Sequence, residues 1–290
     1  MEPFSLMLVL IAAVLHAVWN FLAKTIPGGP AFVWLLAAVI SVWMLPLVVA
    51  YSILYDFEWS LRNVGALGVT GVLHLVYFLV LQKGYAVADL SVVYPLARGS
   101  GPVLSAVGAV LFLHEQPGVL SVLGLCLVVA GVLLVSGIGK AGVDAGKRRD
   151  GLVYGIGTGF LIACYTVFDG FAVKQLALAP LMLEACSHPF RVVALAPLAR
   201  RRWPEIGAIW RAHRWKVVVV ALISPLGYLL VLYAIKTAPV HVVAPARELS
   251  IVIGVVLGAR LLTEENFRPR LMGSLLILAG IVLLSVKIRP

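Results

Sequence analysis

Long apolar runs separated by short polar breaks dominate the chain. Dividing it wherever charge, Pro or Gly interrupts a run gives ten segments: Phe4 to Ala23, Ala31 to Tyr55, Val64 to Leu81, Leu90 to Leu113, Gly118 to Gly137, Leu152 to Val173, Leu181 to Ala199, Val217 to Ile235, Val240 to Leu262 and Leu271 to Val286. A bilayer crossing takes about 20 mainly apolar residues, and only a helix satisfies its own backbone amides in lipid. The pattern therefore predicts ten transmembrane helices. The first carries Glu2 and no basic residue ahead of it, and no small-x-small site follows, so it reads as a retained helix, not a cleaved signal. The longest polar stretches, Ile138 to Gly151 and Arg200 to Lys216, read as loops.

The chain also matches itself. At an offset of 150, Phe21, Lys24, Ala88, Val92, Val93 and Pro95 fall on Phe171, Lys174, Ala238, Val242, Val243 and Pro245. At 149, Arg98 falls on Arg247 and Glu115 on Glu264, and Gly124 and Gly131 fall on Gly273 and Gly280. The Arg, Glu, Pro and Gly matches carry the argument, because apolar helices share Leu and Ala by composition alone. Residues 1–137 and 151–290 then form two five-helix repeats joined by a polar linker, 138–150. An odd number of crossings turns the second repeat upside down. The expected fold class is all-α integral membrane, ten transmembrane helices as two inverted five-helix repeats, an architecture that places a substrate site near the midplane.

Composition agrees with this reading: 62% of the residues are hydrophobic, only 12% are charged, and mean hydropathy is +1.04. Soluble domains carry about a quarter charged residues, so a water-soluble globule is excluded. The net charge of +10 becomes a topology signal. Setting aside Arg98, Arg191 and Arg247 inside helices, the odd-numbered loops hold 15 Lys and Arg, against five in the termini and even-numbered loops. The positive-inside rule places the odd loops in the cytoplasm and both termini outside. The basic cluster Arg200, Arg201, Arg202, Arg211, Arg214 and Lys216 lies between two spans, so no nucleic-acid partner is expected, and the interleaved Trp203, Trp210 and Trp215 read as interfacial anchors. Cys126, Cys164 and Cys186 lie in apolar runs without metal-ligand or CxxC spacing.

Polar residues inside the spans are the candidate machinery, since a charge at a helix centre costs about 2.5 to 3.5 kcal/mol on insertion scales. His16, Asn20 and Lys24 form a stripe on the first helix with Trp19 beside it, and Tyr165, Thr166 and Asp169 answer it on the sixth. The stripes suit a cavity; packed helices bonding through His16 and Asn20 are the alternative. Arg98 and Arg247 recur after Pro95 and Pro245 and fit either an anionic substrate group or freed carbonyls; Glu248 follows Arg247. His74 and Tyr77 share a face of the third helix. Glu184, His188 and Arg191 share a face of the seventh and fit either a proton relay or an internally neutralised ion triad docking that helix, the triad being the favoured reading. Glu115 and Glu264 end their helices and read as structural, each serving the hairpin to the next helix, as do Pro95 and Pro245. Asp169, Glu248 and His16 are the candidates for proton coupling, with the proton as coupling ion. His114 and Glu115 begin an HEQP string that lacks the second histidine of HExxH, and no phosphate loop, Ser-His-Asp cue or metal cluster accompanies it. The chain is read as a non-enzyme, with no cofactor and no metal.

The strings LHAVWNFLAK at Leu15 to Lys24, ADLSVVYPLARGS at Ala88 to Ser100, LHE at Leu113 to Glu115, VAPARELS at Val243 to Ser250 and LTEE at Leu262 to Glu265 resemble EamA-type proteins of the drug/metabolite transporter superfamily. So do the endings GLCLVVAGVLLV and GSLLILAGIVLLS. The resemblance implies a secondary transporter in the plasma or bacterial inner membrane, commonly an exporter of amino acids or similar metabolites, with its cavity lined by the first, third, fourth, sixth, eighth and ninth helices. It also implies termini in the cytoplasm, against the charge count. A lipid-linked glycan flippase or scramblase of the same fold, and an integral membrane enzyme, are the competing functions.

Overall fold

The computed structural model describes residues 2–26, 29–88, 90–136, 145–253 and 267–285. Glu264 and the expected ends of several spans lie outside these residues, as do the side chains of Lys24 and Pro95. The described residues form α1 (Pro3–Lys24), α2 (Gly29–Leu54), α3 (Leu61–Val87), α4 (Leu90–Leu113), α5 (Val119–Ser136), α6 (Ala145–Lys174), α7 (Pro180–Arg201), α8 (Trp203–Thr237), α9 (Val240–Ala246) and α10 (Phe267–Ser285), with a further helical stretch over 249–253. Proline sits in the first turn of α1, α7 and α8, where its missing N–H would be unpaired in any case. The Ser60 hydroxyl caps α3 by accepting from the Asn63 amide at 3.3 Å.

Six described stretches are long and apolar enough to cross a membrane: Pro3–Ala23, Gly29–Leu54, Leu61–Val87, Leu96–Leu113, Arg149–Lys174 and Trp203–Thr237; Val119–Leu134 and Leu271–Leu284 are shorter apolar helices. The bundle's exterior is apolar. Val42, Leu54 and Phe112 each expose more than 70% of their surface, an arrangement that suits lipid and not water.

Packing partners fix the helix directions. Ser5 of α1 bonds Thr237 of α8 at 2.8 Å, while Lys216, earlier in α8, donates to Thr25 just beyond the end of α1 at 2.9 Å, so α1 and α8 are antiparallel. Thr70 of α3 meets Asp169 of α6, and Gly84 lies against Tyr154, so α3 and α6 are antiparallel too. Helix α4 instead runs parallel to α6, with Leu96 at Gly155, Gly101 at Ile162 and Gly108 at Val167. Helices α5 and α10 cross antiparallel at glycines: a Cβ on Gly131 would lie 2.5 Å from the Gly273 carbonyl oxygen, and one on Gly280 would lie 2.5 Å from that of Gly124. Only hydrogen fits there, which explains these small-residue stripes.

Three boundaries depart from the sequence expectation. Helix α6 begins at Ala145, inside the expected linker, so the polar run Lys147 to Asp150 is helical. The stretch Arg200 to Lys216 is not a loop: α7 reaches Arg201 and α8 starts at Trp203, with a break at His213 (φ −130°, ψ 18°). Ile206 and Ile209 recur at helical spacing and bury against Ile26, Ala31, Leu35, Ala199 and Val217, which fixes this interfacial turn of helix. The ninth span does not continue unbroken from Val240. Helix α9 ends at Ala246, a turn holds Arg247 and Glu248, and helix resumes over 249–253. Pro245 has no amide to donate, and the following bonds tighten to Glu248 N to Pro245 O and Ile251 N to Glu248 O, at 3.0 and 2.9 Å.

Candidate functional site

The broken ninth span positions the site. Its turn projects Arg247 and Glu248 toward α4 and α6, forming a cleft lined by Arg98, Pro102 and Ser105 of α4, Ile162 and Thr166 of α6, and Ala244, Arg247 and Glu248. The cleft is narrow, with room for on the order of one water. The Arg98 guanidinium sits 3.0 Å from the Glu248 carboxylate and donates to Ser250 Oγ at 3.0 Å. Arg98 therefore bridges the first half of the chain to the second. The Arg247 guanidinium lies over the Tyr228 ring, 5.4 Å from its centroid, with no carboxylate within ion-pair distance among the described residues. The Ser105 and Thr166 hydroxyls are almost fully buried on the cleft wall and have no hydrogen-bond partner among the described residues. Buried polar groups normally find one. This wall thus presents hydroxyls and a cation to whatever enters.

A second cluster adjoins it through α6 and Tyr228. Asp169, fully buried, accepts hydrogen bonds from Thr70 Oγ1 and Tyr228 Oη, both at 2.5 Å, with His74 Nε2 at 3.8 Å. His74 stacks on Tyr165 at a centroid separation of 4.3 Å, and Tyr165 meets Tyr77 and Tyr228 edge-on. Carboxylate, imidazole and three phenols thus form a polar seam between α3, α6 and α8. In α7, Glu184 and His188 bond at 3.0 Å, both buried, while Arg191 donates to the Ser187 hydroxyl at 3.5 Å and has no carboxylate within ion-pair distance among the described residues. The expected ion triad is a pair with a neighbouring arginine.

The structure brings Arg98, Thr166, Arg247 and Glu248 together in the cleft, and His74, Tyr77, Tyr165 and Asp169 in the seam. His16, Trp19 and Asn20 are not among the residues that line the cleft or bond in the seam, although His16 lies within electrostatic reach of Arg98 and Arg247. Trp19 donates to His16 Nδ1 at 3.3 Å and Asn20 donates to the His16 carbonyl at 2.7 Å, so these groups bond within α1. Pro245 is buried at the break it creates. Sequence reasoning missed Thr70, Ser105, Tyr228 and Ser250. Thr70 was findable, four residues before His74 on the same face of α3; the others are single polar residues in apolar runs that only the packing identifies.

Glu115 departs most from expectation. His114, with φ of 54°, ends α4 in the left-handed conformation. The following carboxylate does not serve its own hairpin. It crosses to the start of α9, where Oε1 accepts from the Val240 amide at 2.7 Å and Oε2 from the His241 amide at 3.0 Å and His241 Nδ1 at 2.8 Å. Lys174, ending α6, donates to Oε1 at 2.8 Å. Burial opposes ionisation of this acid, but the bonds from His241, Lys174 and Val240 outweigh it and hold the carboxyl down at about 2.

A bundle with an apolar exterior, membrane-length helices and a buried polar seam with an adjoining cleft defines a multi-pass integral membrane protein. The chain belongs to the EamA-like transporter family, whose model matches residues 3–137 and again 149–286. No curated protein matches it. A solved structure, titled only as the crystal structure of a protein, is similar with a TM-score of 0.74 at 14% identity, covering 98% of this chain and 97% of its own. Likeness at that identity speaks for the fold.

Proposed function

We propose that the chain is a secondary active transporter of a small polar metabolite, an amino acid or similar compound, that works by alternating access, and that the cleft between α4, α6 and the broken ninth span is its substrate site. The observation that carries the reading is the cleft wall: Arg247 without a carboxylate partner among the described residues, beside the unpartnered buried hydroxyls of Ser105 and Thr166. Donors held in a low-dielectric wall suit a carboxylate, and the exchangeable Arg98–Glu248 pair can serve an ammonium group when it opens. The narrow cleft fits a closed member of the cycle, which must widen to admit solute.

Helix pairing supports the inverted repeat. Exchanging the halves turns α1 on α8 into α6 on α3, and α2 on α8 into α7 on α3; all four pairs pack. The exchange is incomplete among the described residues: α4 packs along α6 and α7 against α8, whereas α9 on α1 and α2 on α3 show no comparable packing. Glu115 lies on the closed side, tying the ends of α4 and α6 to the start of α9, and acts as a latch on that membrane face. By the charge count this face is external and the termini are outside; a reporter fused to either terminus and found in the cytoplasm refutes that orientation. Export is the direction the family resemblance favours. Asp169, bonded by Thr70 and Tyr228 and close to His74, is the proposed proton-coupling group; uptake into proteoliposomes that ignores a pH gradient refutes the coupling. The substrate site is tested by thermal shift of purified protein against amino acids, amines, nucleosides and phosphorylated metabolites, since a binder stabilises the state it binds. A stabilising hit lost in Arg247→Gln is expected; a hit retained in that variant places binding elsewhere.

A further inference from the structure

At the membrane face opposite Glu115, the end of α7 and the start of α8 form a basic platform. Residues 200–216 hold Arg200, Arg201, Arg202, Arg211, Arg214 and Lys216 against a single acid, Glu205. All five arginines are exposed. Only Arg202 has a carboxylate within ion-pair distance among the described residues, Glu205 at 3.6 Å. Lys216 is engaged with Thr25 and the Trp215 ring. The platform is held rigidly beneath: Ile206 and Ile209 are buried, and Trp203 packs edge-on against Trp34, whose indole N–H donates to the Val192 carbonyl at 3.0 Å. Trp203 and Trp215 nevertheless expose 60% and 59% of their surface and Trp210 39%, next to the arginines. The His213 break turns this segment away from the spanning part of α8. Solvated cations in a cytoplasmic loop would need neither a docked helix nor exposed indoles. Indoles favour the headgroup level of a bilayer, and guanidiniums bind phosphodiesters.

We infer that the α7–α8 corner is a binding platform for anionic phospholipid headgroups, with the arginines contacting the phosphates and the tryptophans at the level of the acyl-chain roots. The inference does not depend on the transported solute. Each Arg near an anionic surface adds about fivefold in affinity, so the doubly substituted Arg211→Gln, Arg214→Gln protein loses about 25-fold in selectivity for anionic over zwitterionic lipid.

The experiment uses the full chain in phosphatidylcholine nanodiscs, titrated with phosphatidylglycerol bearing brominated chains, and reads tryptophan quenching. The expected result is stronger quenching by brominated phosphatidylglycerol than by brominated phosphatidylcholine, weakened by salt, reduced in the double Gln variant and retained when the same two arginines become Lys. Equal quenching by the two lipids overturns the proposal, as does unchanged selectivity in the Gln variant. Inorganic phosphate or glycerol phosphate that abolishes the selectivity, beyond sodium chloride at equal ionic strength, identifies a free phosphate site and overturns the lipid reading. Protection of amides 203–213 from hydrogen exchange in wild-type protein, measured in both lipids, gives a readout that needs no variant: greater protection with phosphatidylglycerol is expected, and none refutes the platform.

Discussion

Replacing Glu115 with Gln removes the latch while keeping its shape. In the native arrangement Oε1 accepts from Lys174 and Val240, and Oε2 accepts twice from His241. A glutamine has one carbonyl oxygen, so whichever way the amide turns, its NH₂ faces two donors. Hydrogen bonds to a charged acceptor contribute about 1.5 to 3 kcal/mol each. Losing two, with part of the loss regained from water at this boundary, costs about 3 kcal/mol. On that figure the closed-to-open ratio at this face falls on the order of 100-fold. Hydrogen exchange reads the change directly, because the amides of Val240 and His241 are themselves the latch donors. Their exchange rises on the order of 100-fold in Glu115→Gln while amides in α5 and α10 are unaffected. Lys174→Gln, which removes a partner 27% exposed, changes the same amides by less than about fivefold. Exchange at these two amides within about threefold of wild type in Glu115→Gln refutes the latch.

The pH dependence of the latch follows from the same contacts. The Glu115 carboxyl is held at about 2, below the ordinary 4.5, so its contribution is fully present above about pH 4.5 and is lost as pH falls toward 2. Exchange at Val240 therefore accelerates over that interval beyond the intrinsic pH effect. Gly131→Val places side-chain atoms where the Gly273 carbonyl stands and separates α5 from α10, costing about 3 kcal/mol or more by overpacking; a melting temperature unchanged in detergent contradicts this packing. Asp169→Asn keeps the shape but removes the charge and one acceptor, so one of the two hydroxyls must turn to accept from the amide; it is expected to abolish pH-driven transport at normal membrane levels, and full activity removes Asp169 from the mechanism. Tyr228→Phe withdraws one of two donors from a buried carboxylate and is expected to destabilise by about 1 to 3 kcal/mol, read as a lowered melting temperature.

Much of the architecture was legible in the residues. Apolar runs marked the helices, because lipid forbids any other backbone, and the repeat matches Gly124, Gly131, Gly273 and Gly280 are small residues of the kind that let helices pack closely, though the pairing of α5 with α10 was not legible in them. The recurrence of Arg98 and Arg247 pointed to the cleft both now line. The polar stretch Arg200 to Lys216 looked like a loop since charge outweighs its two buried isoleucines in any hydropathy window. The break after Pro245 was half visible: the proline was seen, but whether a helix kinks or restarts is settled by packing, here Arg98 holding Glu248. His16 and Asn20 share a face with Lys24 by spacing, yet spacing cannot reveal that their hydrogen bonds stay within α1. Glu115 was read locally because sequence shows neighbours along the chain, whereas its four donors come from residues 174, 240 and 241.

Counterflow in proteoliposomes tests the central claim most directly. With the stabilising solute loaded inside and labelled solute outside, wild-type protein is expected to accumulate label transiently, since one cleft exposed to alternate sides exchanges solute without net driving force. Arg247→Gln, with unchanged membrane insertion and melting temperature, is expected to reduce this exchange at least tenfold. Equal counterflow in wild type and Arg247→Gln would contradict the assignment of the α4–α6–α9 cleft as the transport site.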